Sequence, residues 1–249
     1  MTNVDEAATA SGDSGRPDKS GATSAKKQMP LWQETILLLV LALVVSAVVK
    51  TFLVQMFFVP SGSMRPLLTN DDRILVQKIS YWGDNHVERG DVVVFADPDD
   101  QWLGPLAAGE PTGVQKVLSR IGLYPTGGHL VKRVIGVGGD RVVCCDKRGR
   151  IRVNDVPLDE KDYIAENAVP SERTFDVKVP DGRLWVMGDN RDDSEDSRYH
   201  QDLPGDGTVP ESGVVGKVWA VVWPLDRFDR LETPTTFGNP ALQVTGATR

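Results

Sequence analysis

Hydrophobic and polar positions divide the chain into contrasting stretches. Residues 1 to 30 are built from Ser, Gly, Ala, Thr, Asp and Lys without one aromatic residue. Such a stretch cannot bury enough apolar surface to offset its chain entropy and is expected to be a disordered cytoplasmic tail. From Trp32 to Val59 the character reverses. Ile36 to Val49 is a fourteen-residue apolar run broken only by Ser46, and the window from Ile36 to Val59 counts twenty-four residues. A bilayer core asks for about 20 residues of helix, with a flanking Lys able to reach the headgroups. Residues 31–58 are therefore expected to form one transmembrane anchor, with Lys50 snorkelling.

Beyond Val59 the period changes to that of strands. Arg89-Gly90 is a turn before the β-branched run Asp91–Phe95. His129–Val137 is closed by Gly138-Gly139-Asp140, and Arg141–Val143, Arg150–Val153, Leu184–Met187 and Val214–Val222 follow. Short β-branched runs separated by turn residues predict a mainly β domain. Between Asp97 and Gly128 lies a Pro/Gly-rich insertion in which Val114–Leu123 can form a short helix. Residues 232–249 lose all pattern and are expected to be a loose tail. The expected fold is an antiparallel β-sheet domain over residues 59–231, carrying a smaller accessory β region at about 144–182 and preceded by one transmembrane helix.

Composition narrows the function. The chain has 28 Lys and Arg against 35 Asp and Glu, a formal charge of -7. That balance argues against a nucleic-acid partner. The two cysteines, Cys144 and Cys145, are adjacent, and His86, His129 and His200 are scattered, so no zinc ligand set can be assembled and no metal or cofactor is expected. Paired side chains on opposite faces of a strand disfavour a bridge between the cysteines, so thiols or a structural role are expected. Arg16, Lys19, Lys26 and Lys27 precede the apolar segment, whereas Arg65 alone lies in the equivalent stretch after Lys50. The positive-inside bias then puts the amino terminus in the cytoplasm and the β domain outside the cytoplasmic membrane. A cleavable leader ending at Val45-Ser46-Ala47 competes with this reading, but the apolar stretch continues past Lys50. A buried helix of a soluble core seldom lacks a polar face altogether.

Three segments carry candidate chemistry. Pro60-Ser61-Gly62-Ser63-Met64-Arg65-Pro66 is a tight serine turn, which a plain linker would also explain. In Leu130-Val131-Lys132-Arg133-Val134 the two cations face opposite sides of an apolar strand. A desolvated lysine loses its proton easily and becomes a base, which an arginine cannot do; the bland alternative is a pair of structural ions. Met187 to Arg198 is a dense polar loop. Asp192, Ser194 and Asp196 alternate as calcium ligands might, yet the glycine and terminal glutamate of a calcium loop are missing. Ser24-x-x-Lys27 has a catalytic spacing but lies in the leading tail, and Gly136-Val137-Gly138-Gly139 lacks the third glycine of a dinucleotide fingerprint.

Taken together, Pro60–Met64, Arg89–Phe95, Lys132–Gly136 with Gly139-Asp140, and Gly188–Asp192 through Ser194, Asp196, Ser197 and Arg198 resemble the ordered boxes of bacterial type I signal peptidases, from about residue 36 to 224. The resemblance implies a membrane-anchored Ser/Lys-dyad endopeptidase that cleaves signal peptides after small-x-small sites. It implies Ser63 as nucleophile, Lys132 as general base, Ser61 in the oxyanion hole and Ser194 orienting the amine. Arg133 with Asp189, and Asp196 with Arg198, would be ion pairs holding the loop. Val59, Pro60, Met64, Leu68, Leu130 and Val131 would line the substrate pockets. Partners would be signal peptides of exported preproteins and the lipid bilayer, with the enzyme a monomer near the secretion translocon. The chain departs from the pattern in its long 97–128 insertion, in Gly138 and Asp193, and in the paired cysteines. The rival readings are a self-cleaving repressor-type Ser/Lys enzyme, which lacks an anchor, and a non-enzymatic tethered β module.

Overall fold

Runs of Val and Ile, stiff at Cβ, become strands, and Gly, Pro and Asn positions become the turns between them. The computed structural model describes residues 30–49, 53–81, 83, 85–98, 101–103, 113 and 128–242. It divides into two units, Met1–Ala42 and Leu43–Arg249, and all strands belong to the second.

The strands are β1 (Val54–Phe58), β2 (Arg73–Gln77), β3 (Val92–Ala96), β4 (His129–Val137), β5 (Arg141–Cys144), β6 (Arg152–Val153), β7 (Val156–Pro157), β8 (Phe175–Lys178), β9 (Arg183–Met187), β10 (Val209–Pro210), β11 (Val214–Trp223) and β12 (Asp229–Arg230). An eight-stranded sheet runs in the order β1-β2-β11-β3-β4-β9-β10, with β12 beside β11. A four-stranded sheet runs β7-β6-β5-β8. Every pairing is antiparallel. The expected mainly β, antiparallel architecture is therefore what the chain adopts, and the four-stranded sheet begins with β5 at Arg141.

β4 is the axis of the large sheet. Its near-continuous apolar sequence suits a central strand, because both of its faces are covered. Val93 of β3 stands opposite Lys132, and Val92 opposite Arg133. Lys132 thus shares a face with Leu130, Val93 and Val134, which pack in a cluster with Phe95, Trp102 and Val186. On the other face Val131, Val92 and Val94 pack with Phe57, Val59, Met64, Leu68 and Val218. A third cluster joins the small sheet to Ile135, Trp185 and Met187. β9 meets β4 only from Arg133 onward, so residues 129–132 of β4 have a paired strand on the β3 side alone among the described residues.

Several expectations need correction. The helix α1 covers Leu31–Val48, 18 residues. Among the described residues no helix is long and apolar enough to cross a membrane. The apolar window to Val59 is not one helix, because Val54–Phe58 pairs with β2, burying Phe57 and leaving Met56 and Phe58 exposed. Alternation is invisible where both faces are apolar, so the strand merged with the helix in the sequence pattern. The start of the supposed loose tail is folded as well. Short 3₁₀ turns at Thr235–Gly238 and Pro240–Leu242 bury Phe237 and Leu242 in the third cluster. Cys144 and Cys145 are joined as a disulfide rather than free. The leading tail before residue 30, the helix expected at Val114–Leu123 and residues 243–249 lie outside the described residues.

Candidate active site

The serine turn follows β1 directly. Val59 keeps the chain in register with the segment before β2, its N–H donating to the Asp72 carbonyl at 2.9 Å while Asp71 N–H donates back to Val59 at 3.0 Å. The chain then turns through Gly62, bringing the Ser61 and Ser63 hydroxyls within 3.3 Å of each other. Asn190 clamps this turn from the polar loop: its backbone N–H donates to the Ser63 carbonyl at 3.1 Å, and its side-chain amide to Gly62 at 2.9 Å.

Lys132 reaches the same place from β4. It is 3% exposed, and its Nζ donates to Ser194 Oγ at 3.0 Å. Ser194 in turn donates to Asp196 Oδ2 at 2.9 Å, the oxygen that also accepts the Gly188 N–H at 3.0 Å. The convergence depends on Gly188. A Cβ there would run into both Ser194 Oγ and the Ser63 carbonyl, so the absent side chain is what lets the serine turn approach the amine's partner. Ser61, Ser63, Lys132, Ser194 and Asp196 thus share one neighbourhood.

Burial lowers the Lys132 pKa to about 8; Asp196 opposes that shift and Arg198 assists it. Desolvation works against ionised Asp196 too. Its carboxyl is nevertheless held below the ordinary carboxylate range by hydrogen bonds and charge from Arg198, whose Nε and Nη2 both donate at 2.8 Å. The loop that looked like a calcium ligand set therefore turns Ser194 and Asp196 inward, onto protein partners.

Arg133 occupies the opposite face. Two bonds of 2.8 and 2.7 Å join it to Asp189, a third of 2.8 Å reaches the Gly90 carbonyl, and its guanidinium lies 4.7 Å over the Tyr163 ring. Tyr163 introduces a group that sequence reasoning missed. Its hydroxyl donates to Glu160 at 2.6 Å, Glu160 accepts from Arg191 at 2.6 Å, and Arg191 also donates to the Gly188 carbonyl at 3.0 Å. Burial and then the Glu160 charge push the Tyr163 hydroxyl well above its usual pKa, so it remains a donor. Glu160 and Tyr163 sit in the small-sheet region without a motif to announce them. Asn190 could have been noticed, because it lies inside the Gly188–Asp192 box.

The expected pocket residues separate. Val59, Met64 and Leu68 are buried in one cluster with half-buried Val131 packed against it, Leu130 packs on the Lys132 face, and Pro60 is exposed. Among the described residues no group of three or more His, Cys, Asp or Glu side chains is placed to hold a metal ion.

Comparison with known proteins accords with this arrangement. The family described as "Signal peptidase, peptidase S26" matches residues 32–223. The probable signal peptidase I of Mycobacterium leprae (strain TN) is 38% identical over 240 residues, covering 84% of this chain and 81% of that protein. Signal peptidase I of Mycobacterium tuberculosis (strain H37Rv) is 39% identical over 219 residues, 79% of this chain and 74% of its own. Signal peptidase I of Pseudomonas fluorescens is 34% identical over 209 residues, 74% and 70% of the two chains. The antiparallel β domain is that of a peptidase. The chain belongs to the signal peptidase family, peptidase S26.

Proposed function

We propose that this enzyme is a serine endopeptidase that removes signal peptides from exported preproteins after small-x-small sites, with Ser63 as nucleophile and Lys132 as general base. The observation that carries the reading is the partner of the buried amine. Lys132 meets a hydroxyl, Ser194, and reaches the nearest carboxylate only through it. A lysine in that setting gives up its proton near neutral pH and can accept another.

In this mechanism neutral Lys132 takes the Ser63 hydroxyl proton as Ser63 Oγ attacks the scissile carbonyl. The oxyanion is received by the Ser61 hydroxyl and the Ser63 backbone N–H. Lys132 returns the proton to the leaving amine, the C–N bond breaks, and an acyl ester on Ser63 remains. Lys132 then deprotonates a water that releases the signal peptide as its carboxylate and restores Ser63. The substrate adds as an extended strand beside residues 130–132 of β4, which precede the start of the β9 pairing.

We further assign the enzyme to the cytoplasmic membrane, with the β domain on the outer side. Support comes from the four cations ahead of Leu31 and from apolar side chains left exposed, namely those along Leu31–Val45 and those of Met56, Phe58, Trp219, Trp223 and Phe228. Trp and Arg together suit a lipid–water boundary, and Arg230 stacks 5.5 Å over Trp219.

The test uses purified full-length protein in detergent with an Ala-x-Ala preprotein. Ser63→Ala is expected to abolish cleavage; retained cleavage would reject the assignment. In the unmodified enzyme the active form is the neutral amine, so the rate should be low below pH 8 and rise through about 8. A flat profile from neutral to alkaline pH counts against Lys132 as the base.

A further inference from the structure

The geometry points to Trp102, in the segment that leaves β3, as a positioning residue for Lys132. The inference rests on the reading of Lys132 as base, and it gives the start of the long insertion a task in the reaction.

Trp102 is built into its place. The Asp97 carboxylate accepts the backbone N–H groups of Trp102 and Leu103 at 2.8 and 3.0 Å, pinning the chain where it departs from the sheet. The indole is 5% exposed, perpendicular to the Phe95 ring at 5.9 Å between centroids and stacked on the His200 imidazole, 4.3 Å between centroids and 4° between planes. His200, itself 8% exposed, places Nδ1 2.9 Å from the Asp196 carbonyl oxygen. A carbonyl only accepts, so Nδ1 carries the proton and the ring's orientation is set. Asp196 then holds Ser194, and Ser194 holds the amine. The path from indole to ammonium is a stack followed by hydrogen bonds between buried groups.

A second observation leads to the same place by another route. Trp102 belongs to the apolar cluster on the Lys132 face of the sheet, together with Leu130 and Val134, which flank Lys132 along β4, and Val93, which stands directly across from it. The indole therefore belongs to the apolar layer on the face from which the amine projects, and it also steadies the loop that orients the amine. Removing it admits water to that face and frees His200 at once. Water favours the ammonium form. The charged groups that bear on Lys132 are Asp196, Asp193 and Glu195, which favour the ammonium, and Arg198, which opposes it. Once water screens and solvates this site, the loss of desolvation governs the direction.

The experiment compares kcat–pH profiles of the full-length enzyme on an Ala-x-Ala preprotein. Trp102→Ala should raise the midpoint of the acid limb by about one pH unit, which is about a tenfold loss of kcat at neutral pH, recovered at alkaline pH. KM should not change. Trp102→Phe, which keeps a stacking ring, should restore the unmodified midpoint. His200→Phe, which keeps the stack but removes the donor to Asp196, should shift the midpoint in the same direction by less. An unmoved midpoint in folded Trp102→Ala overturns the inference, as does a loss of kcat equal at every pH. Should Trp102→Ala fail to fold, an unmoved midpoint in His200→Phe overturns it instead. Failure of the underlying reading looks different: Lys132→Ala would then cleave, or the unmodified enzyme would show no acid limb at all.

Discussion

Lys132 and Arg133 are neighbours in β4, one on each face of the sheet, and both are almost completely buried. Their surroundings solve the problem of a buried cation in opposite ways. On the Arg133 side a carboxylate makes two direct bonds, a backbone carbonyl takes a third, and an aromatic ring lies over the guanidinium. That charge is neutralised where it stands, and each of the three guanidinium nitrogens donates a hydrogen bond. On the Lys132 side a hydroxyl stands between amine and carboxylate, and the carboxylate's own charge is matched by Arg198. There the amine is left free to be uncharged. Direct pairing yields a fastening; pairing through a serine yields a group able to exchange a proton.

The contrast can be broken by exchanging the residue types. Lys132→Arg keeps a cation but one that cannot deprotonate, and cleavage in a single-turnover assay should fall by about 10³-fold or more. Activity within tenfold of the unmodified enzyme would mean that proton acceptance is not this residue's task. Arg133→Ala strands Asp189 as an unpaired buried carboxylate, and thermal or denaturant unfolding should register a loss of about 3–5 kcal/mol. A melting curve that does not move would erase the distinction between the two faces. Smallest of the three, Ser194→Ala removes the amine's hydrogen-bond partner, and kcat should fall by about ten- to a hundredfold with little change in KM, the range of one hydrogen bond to a charged group. An unaltered kcat would show that the amine is held by packing alone.

Much of this arrangement was legible before any coordinates. The serine turn, the cation pair of β4 and the Asp189–Arg198 loop stand out because each concentrates polar residues where the neighbouring sequence is apolar. That Asp189, Asp196 and Arg133 would be paired was readable from the residues, but which arginine meets which carboxylate came only from the family resemblance, since a strand pattern says which face a side chain takes and not what meets it there. Glu160 and Tyr163 were out of reach for the same reason: they lie 31 and 28 positions from Arg191, in a region of two- to four-residue strands too short to show a period. The strand Val54–Phe58 was lost inside an apolar run, and Phe237 and Leu242 were lost because a 3₁₀ turn of three or four residues leaves no repeat to detect. Trp102 looked like one more residue of an irregular insertion. Its importance comes from His200, almost a hundred positions further on, lying flat beneath it.

The uncovered margin of β4 has a bearing on how selective such an enzyme can be. Residues 130–132 precede the β9 pairing on the side away from β3, a length of about 10 Å. A guest chain lying there is gripped mainly by its main-chain groups, and side chains on alternate positions are all that can be inspected. In the docking mode proposed above, so brief a reading frame lets one catalyst accept guest chains that agree at the inspected positions and differ everywhere else.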